Sequence, residues 1–144
     1  MLRSIPPILT PDLLHAIASM GHGDLIVLGD ANFPAASMAA RTVRLDGISA
    51  TDTLAALLKL FPLDSFVPDR AITMQVVGDP EAVPDIQTEF QSILDREADN
   101  PAPIQTLERF AFYERARTAF VIVQTGETRL YGNIILCKGV IGPD

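Results

Sequence analysis

The chain has 144 residues, of which 48% are hydrophobic and 20% are charged, and its formal net charge at pH 7 is −7. This length and apolarity exclude a disordered protein or a coiled coil and predict one domain with its own core. The acidic balance argues against nucleic-acid binding, because no cluster of Lys and Arg can neutralise phosphates. No apolar run approaches the ~20 residues that span a membrane. We therefore expect a soluble, cytoplasmic protein.

The first half of the chain predicts two helices and two strands. Thr10-Pro11-Asp12 combines a cap residue, a proline in the first turn and an acid, so it predicts a helix start, and Gly21 ends that helix. Residues 24–29 form an apolar run bounded by glycine, which is typical of a strand buried on both faces. A short strand at 42–45 and a helix at 49–60 follow.

The second half continues the alternation of strands and helices. A strand is predicted at 72–77, an amphipathic helix at 83–97, a short helix crowded with aromatic residues at 109–116, and strands at 119–124 and 134–137.

This order of elements predicts the α/β fold class and a single domain over residues 1–144. Strands that alternate with helices form a three-layer α/β/α sandwich, with helices on both faces of the sheet. The last two strands are joined by a short turn, so we expect them to run antiparallel and make the sheet mixed.

Metal-binding patterns are absent from the sequence. Cys137 is the one cysteine and lies in an apolar run, so we expect a buried thiol rather than a disulfide. His15 and His22 are the two histidines, and no third ligand lies at a suitable spacing. The sequence therefore predicts no metal ion.

A histidine and an aspartate flank the first predicted strand. His22 precedes it between two glycines, and Asp30 follows it. At ~3.3 Å per residue, their backbones would lie roughly 26 Å apart if the whole span were extended. They can share a site only if the Gly21-His22-Gly23 loop folds back or if neighbouring chains each contribute one. The plainer interpretation is a histidine in a turn and an aspartate that caps the next element.

Several polar side chains lie near the ends of predicted elements. Nothing among them forms a nucleophile elbow, a phosphate-binding loop or a dinucleotide fingerprint. An imidazole, a carboxylate, amides, a guanidinium and phenols suit a neutral polyhydroxylated ligand and proton transfer near pH 7. These residues are His22, Asp30, Asn32, Arg109, Tyr113, Tyr131 and Asn133.

Four segments resemble the L-fucose mutarotases, which belong to a wider superfamily with the D-ribose pyranases. They are Met20-Gly21-His22-Gly23-Asp24, Asp30-Ala31-Asn32-Phe33-Pro34-Ala35, Arg109-Phe110-Ala111-Phe112-Tyr113-Glu114-Arg115-Ala116 and Tyr131-Gly132-Asn133-Ile134-Ile135-Leu136. The likeness covers essentially the whole chain, with the segments in the same order. The third segment favours the fucose branch over the ribose branch.

The resemblance implies a cofactor-independent isomerase that interconverts the α and β anomers of a monosaccharide, with L-fucose favoured. It also implies a homo-oligomer, a decameric ring with sites at subunit contacts. His22 would be the catalytic acid/base. The residues implied to bind the sugar are Asp30, Arg109, Tyr131, Gly132 and Asn133.

The chemistry of mutarotation assigns roles to these groups. One group takes the proton of the anomeric hydroxyl and another protonates the ring oxygen, and a histidine with a pKa near ~6.5 can serve in either direction. We expect Tyr131 to be the phenol partner of His22 and Asp30 to orient the sugar or the imidazole. Some relatives carry His at the position of Asn32, so no role as a second imidazole is carried over. The alternatives are a D-ribose pyranase-type isomerase and a non-catalytic monosaccharide-binding or sensing oligomer.

Overall fold

A computed structural model describes residues 1–143, which form five helices and six strands. The helices are α1 (Pro11–Ser19), α2 (Ala35–Met38), α3 (Ala50–Leu57), α4 (Asp85–Glu97) and α5 (Arg109–Arg117). The strands are β1 (Leu25–Gly29), β2 (Thr42–Leu45), β3 (Ala71–Met74), β4 (Gln105–Leu107), β5 (Val121–Thr125) and β6 (Ile134–Cys137). Over residues 1–143, no helix has the length and apolar character of a membrane-spanning segment.

All six strands form one sheet in the order β2-β5-β1-β6-β3-β4. β5 is parallel to both of its neighbours and β4 is parallel to β3, whereas β6 is antiparallel to β1 and β3. The predicted mixed sheet is therefore confirmed. The last two strands do run in opposite directions, but β1 separates them. Residues 126–133 cross the end of β1, where the Ala31 N–H donates to the Glu127 carbonyl at 2.8 Å.

Helices cover both faces of the sheet. α1, α3 and α4 pack on one face, and α2 and α5 pack on the other. In β1, Ile26 and Leu28 belong to the first of these cores and Leu25 and Val27 to the second. All residues of β1 are buried, as its unbroken apolar run predicts. The three-layer α/β/α sandwich is confirmed.

Local hydrogen bonds explain where α1 and α3 begin. Thr10 Oγ1 accepts the Leu13 N–H at the start of α1, and Ser49 Oγ accepts the Asp52 N–H at the start of α3. The predicted helix at 49–60 ends earlier, at Leu57.

Two short elements occupy stretches where the sequence predicts none. α2 has four residues and β4 has three, which is too short for a helical stripe or strand alternation to show. The strand predicted at 72–77 stops at Met74, because the chain then turns through a bridge between Val76 and Asp79.

Most of the polar residues that lie near the ends of helices and strands come together at one end of the sheet. The strand directions explain this. The carboxyl ends of β1, β3, β4 and β5 meet there with the amino end of β6. In open α/β sheets ligands bind outside the carboxyl ends of the strands. Asp30, Asn133 and Arg109 all follow or precede strands at this end.

Candidate active site

An open cleft of about 230 Å³ lies at this end of the sheet. It is smaller than the ~300–1,000 Å³ pockets that hold drug-sized ligands, so it suits one small molecule. Four of the five predicted sugar-binding residues line it, and Gly132 does not. The lining residues are Asp30, Asn32, Phe33, Met74, Val77, Arg109, Tyr113, Leu130, Tyr131 and Asn133.

Asp30 is fixed by its neighbours and is buried, with 6% of its surface exposed. Its backbone N–H donates to Asn133 Oδ1 at 2.7 Å, and its Oδ1 accepts the Asn32 N–H at 2.9 Å. Burial raises the pKa of the Asp30 carboxyl, and the charge of Glu127 raises it further, while hydrogen bonds with Asn32 and Asn133 offset part of this rise. The cleft therefore contains a carboxyl that is shifted toward its protonated form.

Tyr131 presents its phenol to the cleft from an unusual backbone conformation. Its φ is 61°, in the left-handed region that favours glycine. The phenol oxygen accepts the Val77 N–H at 3.1 Å, which leaves the phenol proton free to donate to a ligand. A glycine is needed at position 132, because a Cβ there would clash with its neighbours. It would lie 2.7 Å from Glu127 Cγ and 2.9 Å from Ile86 Cδ1.

Arg109 is the first residue of α5 and brings a positive charge to the rim of the cleft. The side chain of Glu108 caps the helix by accepting the N–H groups of Phe110 and Ala111 at 3.0 and 3.2 Å. The Arg109 guanidinium lies 4.9 Å from the ring centroid of Phe110 and 5.8 Å from that of Tyr113. The guanidinium thus lies within cation–π range of both rings at the edge of the cleft.

The aromatic residues of α5 divide between core, surface and cleft. Phe112 is fully buried, Phe110 is exposed and Tyr113 lines the cleft. Phe33 packs edge-on against Phe112 and Tyr113, with ring centroids 6.2 and 5.9 Å apart. Phe33 and Tyr113, which line the cleft, are thus connected to the core through the buried Phe112.

His22 lies at the opposite end of β1, outside the cleft. The loop does not fold back, because the Gly23 N–H donates to the Lys138 carbonyl at 2.8 Å and holds the loop beside the carboxyl end of β6. Of the two arrangements that the sequence left open, folding back within one chain is therefore wrong. The His22 side chain is 47% exposed, and its ring lies 5.5 Å from that of Phe66.

Asp64 holds His22 and was missed by sequence reasoning. Its carboxylate oxygens lie 3.3 Å from His22 Nε2, and Oδ1 also accepts the Phe66 N–H at 2.9 Å. Burial disfavours the charged carboxylate, but hydrogen bonds from Phe66, His22 and Cys137 outweigh it and lower the pKa of Asp64. A buried, charged acceptor thus orients the imidazole. The two residues are 42 apart in sequence, so no local motif could identify the pair.

Cys137 is a buried free thiol, as its apolar surroundings predict. Burial raises its pKa to about 11, and the nearby Asp64 carboxylate adds to the rise. The thiol is therefore protonated and unreactive at neutral pH. Within residues 1–143, no group of three or more His, Cys, Asp and Glu side chains is arranged to hold a metal ion.

The chain is similar to known proteins over almost its whole length. Residues 3–141 match the RbsD / FucU transport protein family. The chain is 48% identical to a fucose mutarotase of Homo sapiens over 146 residues, which cover 97% of this chain and 94% of that protein.

Solved structures give the same result. A fucose mutarotase in complex with L-fucose from Streptococcus pneumoniae has a TM-score of 0.91 and 43% identity, covering 98% of this chain and 100% of that one. RbsD of Bacillus subtilis, complexed with D-ribose, has a TM-score of 0.74 at 21% identity, covers 99% of this chain and 100% of that one, and shares the fold. The chain belongs to the RbsD / FucU transport protein family.

Proposed function

We propose that this protein is a mutarotase that interconverts the α and β anomers of L-fucose. One observation carries the proposal: a buried carboxyl, a guanidinium, a phenol and an amide converge on one small cleft in a chain that is 48% identical to a fucose mutarotase. The enzyme is an isomerase, and acid/base groups of the protein suffice for its chemistry.

The lining of the cleft matches the two sides of a 6-deoxy sugar. Asp30, Arg109 and Asn133 offer acceptors and donors to hydroxyl groups. Met74, Val77 and Leu130 supply apolar surface on which the C6 methyl of L-fucose can pack. A hydroxymethyl group in that position would bring a hydroxyl against apolar side chains, at a cost in free energy.

The reaction moves two protons. A base removes the proton of the anomeric hydroxyl while an acid protonates the ring oxygen, so the bond between C1 and the ring oxygen breaks and the aldehyde forms. Rotation about the C1–C2 bond and closure then yield the other anomer. Tyr131 is suited to the proton transfer at the sugar, because its phenol oxygen accepts the Val77 N–H and its own proton is free.

The second acid/base group is His22 from a neighbouring copy of the chain. Within one protomer the imidazole is at the far end of β1 and half-exposed, yet Asp64 holds it in place. Exposed apolar side chains flank both halves of the site: Phe66 beside His22, and Leu130 at the rim of the cleft, are 72% and 69% exposed. Packing of one half on the other would bury both in a ring-shaped homo-oligomer, which we propose is a decamer.

A non-catalytic monosaccharide-binding protein is the second candidate. The position of His22 favours it, because a single protomer contains the binding groups of the cleft without the imidazole.

Proton NMR saturation transfer between the α and β signals of L-fucose tests the proposal. We expect the protein to accelerate exchange of L-fucose strongly and that of L-galactose, which adds a hydroxyl at C6, more weakly. Acceleration of D-ribose alone would indicate a pyranase instead. A folded oligomer that binds L-fucose without accelerating exchange would establish the binding protein.

A further inference from the structure

The connection between β5 and β6 holds Tyr131 in a conformation that tyrosine rarely adopts. Its φ is 61°, and side chains other than glycine are disfavoured there because the Cβ approaches the carbonyl oxygen. Such strain persists only where the surrounding structure enforces it. The groups that enforce it lie outside the cleft.

An ion pair between the buried carboxylate of Glu127 and the half-exposed guanidinium of Arg129 lies just before Tyr131. Glu127 Oε1 accepts the backbone N–H and the Nε–H of Arg129 at 3.0 and 2.9 Å, and Oε2 accepts Nη2–H at 2.9 Å. The carboxylate of Glu127 therefore accepts hydrogen bonds from both the backbone and the guanidinium of Arg129. Glu127 is 3% exposed, and the hydrogen bonds from Arg129 lower its pKa, so it is charged at neutral pH.

The ion pair is tied to the helices beneath the turn. Arg129 Nη1 donates to Glu89 Oε2 on α4 at 2.6 Å, and Nη2 lies 3.5 Å from Thr51 Oγ1 on α3. Two helices of one layer thus anchor the guanidinium. The guanidinium therefore links the segment before Tyr131 to α3 and α4.

The segment after Tyr131 packs on the same carboxylate side chain. Gly132 fits because it has no Cβ, which would lie 2.7 Å from Glu127 Cγ. Gln87 Nε2, which donates to the Met74 carbonyl at 2.8 Å, lies 3.5 Å from the Tyr131 carbonyl. Glu127 therefore contacts the residues on both sides of Tyr131, and Gln87 adds a contact that does not involve Glu127.

Glu127 also reaches the other loop of the cleft. Its carbonyl accepts the Ala31 N–H at 2.8 Å, and its charge contributes to the raised pKa of Asp30. Neither Glu127 nor Arg129 lines the cleft itself.

We propose that Glu127 and Arg129 are positioning residues that hold Tyr131 in its left-handed conformation and so set its hydroxyl in the cleft. They act through Tyr131 and not on the sugar. The consequence for catalysis rests on the proposed function, in which Tyr131 takes part in proton transfer. The consequence for the conformation of Tyr131 holds whether or not the protein is a mutarotase.

A double-mutant cycle tests the catalytic consequence. We expect Glu127→Gln, which keeps the shape and removes the charge, to lower kcat by roughly tenfold to a hundredfold with KM nearly unchanged. In a Tyr131→Phe background the same substitution should have a much smaller effect, which comes from the lost Glu127 charge near Asp30. Glu97→Gln is the matched control, because it also removes a carboxylate that accepts an arginine Nε–H, at 2.8 Å, on the surface of α4. An equal loss from Glu127→Gln in both backgrounds would overturn the proposal.

Fluorine NMR tests the conformation without any need for activity. The chain has two tyrosines, so protein labelled with 3-fluorotyrosine gives one resonance for each, and Tyr131→Phe assigns them. Glu127→Gln should move the Tyr131 resonance and leave that of Tyr113 in place, which also shows that the variant is folded. Arg129→Lys, which keeps the charge but loses the fork of donors, should move it in the same direction and serves if Glu127→Gln does not fold.

The two measurements separate this proposal from the proposed function. A wild-type protein without mutarotase activity would refute the function, and the fluorine resonances would still decide the positioning role. A Tyr131 resonance that stays in place in Glu127→Gln and Arg129→Lys would refute the positioning role, whatever the activity.

Discussion

The two ends of β1 each carry an acid/base group, in opposite environments. At the carboxyl end, Asp30 is buried in a cleft and its pKa is raised. At the amino end, His22 is half-exposed and lies against Asp64, a buried carboxylate whose pKa is lowered. The first end has a cleft that no imidazole of the same chain lines, and the second has a half-exposed imidazole that Asp64 orients.

In the oligomer proposed above, this difference is what lets one short chain build a two-sided site. A pyranose needs groups at its anomeric hydroxyl and at its ring oxygen, and a shallow cleft at a sheet edge covers only part of the ring. A second copy of the chain can cover the rest if its His22 end packs over the cleft. Symmetric oligomers repeat such a contact around a ring, so each copy gives one half-site and receives the other.

Removal of the imidazole should have the largest effect on activity. We expect His22→Ala to lower the acceleration of L-fucose exchange by roughly 10²–10⁴-fold, the range for a positioned acid/base group. The cleft of the same protomer should retain its binding groups, so the affinity for L-fucose measured by calorimetry should change little. His15→Ala is the matched control, because His15 is the other histidine and is exposed on α1. Full activity in His22→Ala would exclude His22 from the reaction.

Mixed oligomers test whether the two ends meet between copies. His22→Ala and Asp30→Asn should each be nearly inactive alone, and mixing them under conditions that exchange subunits should restore activity. With equal amounts and random assembly, about a quarter of the sites would receive both native residues. Light scattering on the same samples gives the size of the oligomer. Activity that stays at the level of the two separate variants would mean that each site uses residues of one chain.

The sequence predicts the cleft end of this comparison better than the imidazole end. Asp30, Tyr131 and Asn133 lie beside predicted strands, so the rule that ligands bind at strand ends brings them together, and they do line one cleft. Arg109 lines the same cleft, but it follows β4, a strand that the sequence does not predict. The roles of all four in sugar binding stay predictions. Gly132 does not line the cleft, and its need for glycine comes from packing on Glu127.

Contacts between distant residues explain what the sequence could not reveal. Asp64 contacts His22, 42 positions away, and the Glu127 carbonyl accepts the Ala31 N–H across the end of β1, and both contacts exist only in the folded chain. The insertion of β1 between β5 and β6 is of the same kind, since a short connection predicts a direct pairing. That insertion brings residues 126–133 across the end of β1, and the left-handed Tyr131 stands in that crossing.

The two aspartates should affect stability in opposite directions, although both effects are smaller than the catalytic ones. The folded pKa of Asp30 is raised, so the fold binds more protons there than the unfolded chain, and stability falls as pH rises through the window between the unfolded and folded pKa values. Asp30→Asn removes that penalty and should raise Tm by a few degrees at pH 7. The gain should disappear once the pH falls below the unfolded pKa of about 3.9.

The charged Asp64 carboxylate stabilises the fold, because the pKa of Asp64 is lower in the folded than in the unfolded chain. Its carboxylate contributes stability above the unfolded pKa, and this contribution is lost as pH falls through the folded pKa. Asp64→Asn should therefore lower Tm at pH 7, with a difference from wild type that shrinks in acid. Calorimetric melting of both variants between pH 3 and pH 8 gives the two curves, and Asp46→Asn, on the exposed surface, gives the baseline. Two curves of the same sign would mean that the ends of β1 are not the contrasting environments described above.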